Sequence, residues 1–119
     1  MMILNFLDPG QVPLILSGEK TQTTILHGPV ELRVGDILQA CSFQAGIRFG
    51  EVKITDIITQ CEKITFENMP AVTLQSWARK EGFKDFSKAN RWFSRVYGLY
   101  WKSKYFDIVQ FRGDWLLED

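Results

Sequence analysis

Ser17-Gly18-Glu19-Lys20-Thr21-Gln22-Thr23-Thr24 is the stretch on which the reading of this chain turns. Upstream of it, Asp8 can cap a short helix that has Pro9 at its first position and Val12, Ile15 and Leu16 facing a core. Gly18 can close that helix, because glycine readily takes the left-handed conformation at a helix end. Downstream, Thr21 to Leu26 is β-branched and reads as a strand, so Lys20 falls in a helix-to-strand joint. Working outward, Ile3 to Phe6 reads as a strand, Val34-Gly35-Asp36 as a turn into a strand from Ile37 to Phe43, and Ala45-Gly46 as a turn back into Phe49 to Ile58. Pro70 precedes a helix over about Val72 to Glu81, with Thr73 as a cap and Gly82 just past its end. A second helix over Ser87 to Tyr97 and a closing strand over Tyr105 to Phe111 complete the order β-α-β-β-β-α-α-β. With a mostly antiparallel middle, this order predicts an α+β fold: a small mixed, mostly antiparallel β-barrel with helices packed at its open side.

Composition bounds the function. A chain of 119 residues, 45% apolar and 13% aromatic, reads as a single domain over 1–119 with one core's worth of apolar material. Disorder, collagen and coiled-coil architectures are excluded by the same content. Fourteen Lys and Arg balance fourteen Asp and Glu. A protein that grips duplex nucleic acid by phosphate neutralisation carries a clear positive excess, so any nucleic-acid contact here is local. Cys41 and Cys61 form no metal motif, and their reading is two free, buried thiols in a reducing compartment. The longest apolar run, Val12 to Leu16, falls far short of the ~20 residues of a membrane span. The N-terminus lacks the basic start of a signal peptide, and the expectation is a cytoplasmic protein with no membrane partner.

The charge is unevenly distributed. Between Trp77 and Lys104 there are eight basic residues against two acids, Glu81 and Asp85. Lys84, Lys88, Arg91 and Arg95 recur at spacings of four, three and four, which places them on one helical face. Phe86, Ala89, Phe93, Val96, Tyr97 and Tyr100 fall opposite as a core stripe. The basic face is either a solvated surface or a patch for a polynucleotide, with Trp92 at its edge as a stacking candidate.

No Walker loop, dinucleotide fingerprint, zinc-ligand spacing or Ser-His-Asp order is present, and neither a metal nor an organic cofactor is expected. His27, the one histidine, sits beside Gly28-Pro29 without a partner in sequence and reads as a surface residue. The polar helix-to-strand joint around Lys20 is the densest functional-looking stretch.

Gly18-Glu19-Lys20-Thr21-Gln22-Thr23 resembles the G-x-K-T-x-T signature of the ASCH (activating signal cointegrator homology) domains, which have a PUA-like barrel fold. Leu32-Arg33-Val34-Gly35-Asp36-Ile37-Leu38 resembles the family's Gly-Asp turn. Ile64-Thr65-Phe66-Glu67-Asn68-Met69 resembles its strand exit, and Ala78-Arg79-Lys80-Glu81-Gly82-Phe83 its helix end. One bacterial branch of that superfamily is a small amidohydrolase that deacetylates N4-acetylcytidine. The resemblance implies Lys20 as proton acceptor, Thr23 as nucleophile, Glu81 as proton donor, and Gly18 and Thr21 as ligand-binding positions. The family pattern has an arginine two residues after the second threonine; this chain has Ile25 there, and Arg33 or Arg48 could substitute from neighbouring strands.

The chemistry of such a trio is coherent. A threonine hydroxyl needs a base to take its proton. A lysine serves only if burial lowers its pKa, and a carboxyl at the carbonyl end of a helix is pushed towards its protonated form. Two Lys20 and Thr23 side chains in one regular strand would point to opposite faces, so Lys20 must precede the strand or a bulge must intervene. Two readings follow: an amidohydrolase acting on an N4-acylated cytidine-type nucleoside, or a non-catalytic PUA-like module that binds RNA through the same cleft and the basic helix face.

Overall fold

The computed structural model describes residues 3–6, 8–28, 32–61 and 64–115. Its elements follow the expected order: β1 (Ile3–Asn5), α1 (Val12–Ser17), β2 (Gln22–Leu26), β3 (Ile37–Ser42), β4 (Ile47–Thr59), α2 (Ala71–Lys80), α3 (Phe86–Tyr97) and β5 (Phe106–Trp115). The strands form one sheet in the order β1-β3-β4-β5-β2, with β1 parallel to β3 and every other pair antiparallel. The α+β architecture is therefore as read from the sequence. The sheet is a curled half-barrel in which β1 and β2 are the two edges.

Two bulges bend the sheet, one between Ala40 and Cys41 and one between Ile54 and Asp56. The second, at Thr55, also resets the side-chain alternation of β4. Ile54 packs inside the curl, and three positions later Ile57 packs there as well, which an unbroken strand with period two would forbid. The bulge thereby turns Ile58 outward, towards the helices.

β5 carries the chain's two cores on its two faces. Val109 and Phe111 join Leu4, Phe6, Ile15, Leu38, Phe49 and Ile54 inside the curl, beneath α1. Phe106 and Ile108 join Phe66, Trp77, Ala78, Ala89, Phe93 and Trp101 between the sheet and helices α2 and α3. The second core is an aromatic stack: Trp77 lies 4.5 Å from Phe66 and 5.2 Å from Phe93, ring centre to ring centre, and Phe93 lies 4.8 Å from Trp101.

Several local details depart from the sequence reading. Asp8 caps not α1 but the short 3-10 turn Pro9–Gln11, where its carboxylate accepts the Gly10 N–H; α1 continues from that turn. Thr73 lies within α2, whose N-cap position is Pro70. The segment read as a strand exit is a 3-10 turn, Phe66–Asn68. Lys84 precedes α3, because the Asp85 carboxylate accepts the Lys88 N–H and starts the helix there. Val96 and Tyr100, expected in the core stripe, are exposed, Tyr100 at 83%. Tyr100 falls beyond the glycine that ends α3, so helical periodicity no longer governs where it points. Both cysteines are free, Cys41 buried and Cys61 exposed.

Candidate active site

The joint between α1 and β2 meets the end of α2. Gly18 closes α1 with φ +84°, and the backbone N–H of Lys20 donates to Leu14 O. The next N–H, of Thr21, donates to Lys80 O, which ties the joint to the last turn of α2. That turn ends in a Schellman motif: Gly82, at φ +94°, donates to Arg79 O and Phe83 donates to Ala78 O. The motif leaves the Glu81 carbonyl free to take a side-chain donor, and Lys20 Nζ provides it at 2.8 Å. Nζ also lies 3.5 Å from Glu81 Oε1. A cation against the carbonyl end of a helix is favourably placed in the helix dipole.

Both side chains are buried, each 2% exposed as a residue. Burial pushes the Lys20 pKa down from its ordinary 10.5, opposed by the attraction of Glu81. Burial likewise pushes the Glu81 carboxyl up from its ordinary 4.5, opposed by Lys20 and by hydrogen bonding from Gln22 and Thr24. Glu81 Oε2 nevertheless completes no hydrogen bond among the described residues. Burial and the negative charge of Glu81 together also push the half-buried Tyr97 phenol upward. Desolvation thus favours the neutral form of each partner, which is the state needed for a lysine that accepts a proton and a glutamic acid that gives one.

Beside the pair, a cleft of about 370 Å³ opens between α2 and the helix-facing side of the sheet. Its apolar walls are Ile58 and Ile108 from the sheet and Met69, Val72 and Trp77 from α2 and the turn before it. Gln22 and Gln110, register partners on β2 and β5, contribute carboxamides. Lys20 and Glu81 do not themselves line the cleft; Gln22, Trp77 and Lys80 do. The Trp77 indole N–H donates to Thr24 Oγ1 at 2.9 Å, and Thr24 in turn abuts Glu81.

Lys20 precedes β2, the condition under which it could share a site with a hydroxyl three residues on. Thr23, however, is the cross-strand partner of Val109 and so points into the curl, on the opposite face from Gln22 and Thr24. The hydroxyl beside Glu81 is that of Thr24. Ile25, where the family pattern has arginine, packs against the inner core. Arg48 pairs with Glu51 at 3.4 Å on the β3–β4 hairpin, ten positions along β4 from Ile58, roughly 30 Å of strand. Arg33 lies in the turn before β3, where its backbone N–H donates to Asp36. Gly18 and Thr21 belong to the joint. Lys84, Lys88, Arg91 and Arg95 are all exposed. Trp92 is half-buried against Phe83 and Phe93 and lines a separate recess with Asp8, Gln44, Arg95 and Val96. His27 has a partner that sequence spacing could not show: its Nδ1 lies 3.1 Å from the Asp107 carboxylate, 80 residues away.

Solved structures match this architecture. An ASCH domain from Lactobacillus crispatus JV V101 superposes with a TM-score of 0.60 at 18% identity, over 87% of this chain and 69% of that one. The fold is that of the ASCH domains. A second ASCH protein, from Zymomonas mobilis, matches with a TM-score of 0.59 at 14% identity, over 92% of this chain and 66% of its own. A protein of Enterococcus faecalis V583 from the family DUF984 shares the same architecture, with a TM-score of 0.65 at 16% identity over 100% and 84% of the two chains. No protein-family model matches the sequence, and no curated protein matches it. In the ASCH fold as built here, no described helix is long and apolar enough to cross a membrane. No three His, Cys, Asp or Glu side chains among the described residues cluster as metal ligands.

Proposed function

We propose that this ASCH-fold domain is a small amidohydrolase that removes the acyl group from an N4-acylated cytidine-type nucleoside, without a metal or organic cofactor. The observation that carries this reading is the buried Lys20–Glu81 pair, desolvated towards neutrality, with their chain neighbours Gln22 and Lys80 lining a nucleoside-sized cleft. In the proposed cycle a threonine hydroxyl of β2 attacks the acyl carbonyl carbon and its proton goes to neutral Lys20. The carbon–nitrogen bond breaks, and the protonated Glu81 carboxyl supplies the proton taken up by the leaving exocyclic nitrogen. The acyl-enzyme stage then holds Lys20 as ammonium beside Glu81 as carboxylate, where mutual attraction offsets the burial of both charges. Water attacks the ester, giving its proton to Glu81 while Lys20 returns its own to the threonine oxygen. The carboxylic acid leaves and the neutral pair is restored.

The resemblance assigns the nucleophile to Thr23, whereas Thr24 is the hydroxyl that lies against Glu81. Chromatographic conversion of N4-acetylcytidine to cytidine tests the reading. Turnover by the parent and none by folded Lys20→Ala supports it; no turnover by the parent at high enzyme concentration overturns it. Thr23→Val beside Thr24→Val then assigns the hydroxyl by which of the two abolishes the reaction.

A second reading, a PUA-like module that binds RNA, is favoured by one observation: Lys88, Arg91 and Arg95 stand exposed on α3, and Arg95 shares a recess with Trp92. Affinity for a single-stranded oligoribonucleotide that falls steeply with salt, without turnover, would support it.

A further inference from the structure

The cleft is lopsided in charge. Among the described residues that line it, Lys80 is the one charged side chain, and no carboxylate faces it. Thr73, Ser76 and Lys80 recur at spacings of three and four and so form one polar stripe of α2, about 10 Å long, opposite Ile58 and Ile108 of the sheet. A second groove, of about 630 Å³, runs over α2 and meets the cleft along a shared ridge of Val72, Ser76 and Lys80. That groove adds Arg79 and, among the described residues, again no acid. Arg79 and Lys80 are both exposed, and neither pairs with a carboxylate among the described residues. The next residue, Glu81, is turned inward to Lys20. Helical side chains lean towards the N-terminus of their helix, so Lys80 reaches back over Ser76, away from the end of α2 at which Lys20 and Glu81 meet.

We propose that Lys80, with Arg79 beside it, forms a phosphate subsite at the rim of the cleft, so that the ligand is a pyrimidine nucleotide rather than the bare nucleoside. This rests on the reading that the cleft takes a pyrimidine ring. The ring lies against Ile58, Ile108 and Trp77, the sugar hydroxyls meet Thr73 and Ser76, and the phosphate meets the two cations at the ridge. A phosphomonoester carries close to two negative charges and three strong acceptor oxygens, which suits two adjacent cations that have no carboxylate of their own. An acid carried on the acyl group fits less well, because the acyl group belongs at the Lys20–Glu81 end, from which Lys80 leans away. The phosphate of a free nucleotide and that of an RNA strand present the same chemistry to Lys80.

The test titrates cytidine, cytidine 5′-monophosphate and the dinucleotide cytidylyl-cytidine into the parent, Lys80→Gln, Arg79→Gln and, as a remote control, Lys53→Gln, with N4-acetylcytidine turnover measured alongside. In the parent at low salt the monophosphate should bind about tenfold tighter than cytidine, as one charge-assisted contact gives, and the gap should narrow as salt rises. Lys80→Gln should bring the two within about twofold while leaving cytidine itself unchanged, Arg79→Gln should remove part of the gap, and Lys53→Gln none of it. The salt series reads the subsite in the unmutated protein. Tighter binding of the dinucleotide than of the monophosphate makes a strand the source of the phosphate, and the reverse a free nucleotide; either sustains the subsite. Equal binding of cytidine and its monophosphate in the parent, a gap that survives Lys80→Gln, or one that Lys53→Gln closes equally, overturns it even if the enzyme turns over. A Lys80-dependent gap without any turnover sustains the subsite and overturns the amidohydrolase reading. Binding of none of the three ligands overturns both.

Discussion

Replacing Lys20 with Met removes an amino group that touches Glu81 twice, through the carbonyl at 2.8 Å and through Oε1 at 3.5 Å. Nothing described completes a hydrogen bond to Oε2, and both side chains are buried. The substitution therefore leaves a buried carboxyl and a helix-terminal carbonyl without their donor. Breaking one side of a buried pair costs about 3–5 kcal/mol. Glu81→Leu should cost less, about 1–3 kcal/mol, because Lys20 loses the carboxyl but keeps the residue-81 carbonyl as acceptor. Removing both partners removes both desolvation penalties, and the Lys20→Met/Glu81→Leu variant should lose no more than about 2 kcal/mol, mostly the unpaired carbonyl.

Guanidinium unfolding of the four proteins supplies the cycle, provided the denaturant slope is unchanged. Its pH dependence gives a second readout. Between the ordinary Glu81 value of 4.5 and its raised folded value, the folded chain holds a proton that the unfolded chain has lost, so the pair's contribution falls as pH rises through that window. Between the lowered Lys20 value and the ordinary 10.5, the unfolded chain holds a proton that the folded one lacks, so stability recovers as pH rises there. The parent should show a trough between these two windows, and the double variant should lack it. Single variants that each cost under about 1 kcal/mol and simply add in the double would refute the picture of a coupled, desolvated pair.

Gly82→Ala should destabilise by about 1–2 kcal/mol or more in the same unfolding assay. Its φ of +94° is strained for alanine, and the new Cβ would meet Leu14 Cδ1 at 3.2 Å and Lys20 Cβ at 3.3 Å. N4-acetylcytidine turnover should fall with it, because Lys20 is the group displaced. Trp77→Phe keeps a ring in the aromatic stack but removes the donor to Thr24 Oγ1; a loss of about 2 kcal/mol is expected by urea titration. Asp85→Ala removes the α3 cap and should cost about 1 kcal/mol, read as a lower thermal midpoint.

The order of elements was legible because its signals are local. Gly18 and Gly82 stop helices wherever the rest of the chain lies, and the β-branched run after Thr21 prefers a pleated strand. The position of Glu81 at a helix end followed from the glycine behind it. Thr73 reads as a cap but lies inside α2, which starts earlier, right after Pro70, whereas Tyr100 leaves the core stripe because Gly98 ends α3 before it.

The site itself was only half legible. Only the family resemblance marks Lys20 and Glu81 as base and acid, and their contact spans 61 residues and exists because the joint before β2 docks on the last turn of α2. Gln22 and Thr24 were available to alternation: they are the polar residues of β2 that share a face, and Thr23 is not among them. Local sequence determined which segments are helices and strands and where each ends, because propensity and capping act within a few residues. Tertiary structure alone decided which hydroxyl and which carboxamide meet the Lys20–Glu81 pair, because strand register and the Thr55 bulge choose the face that every side chain takes.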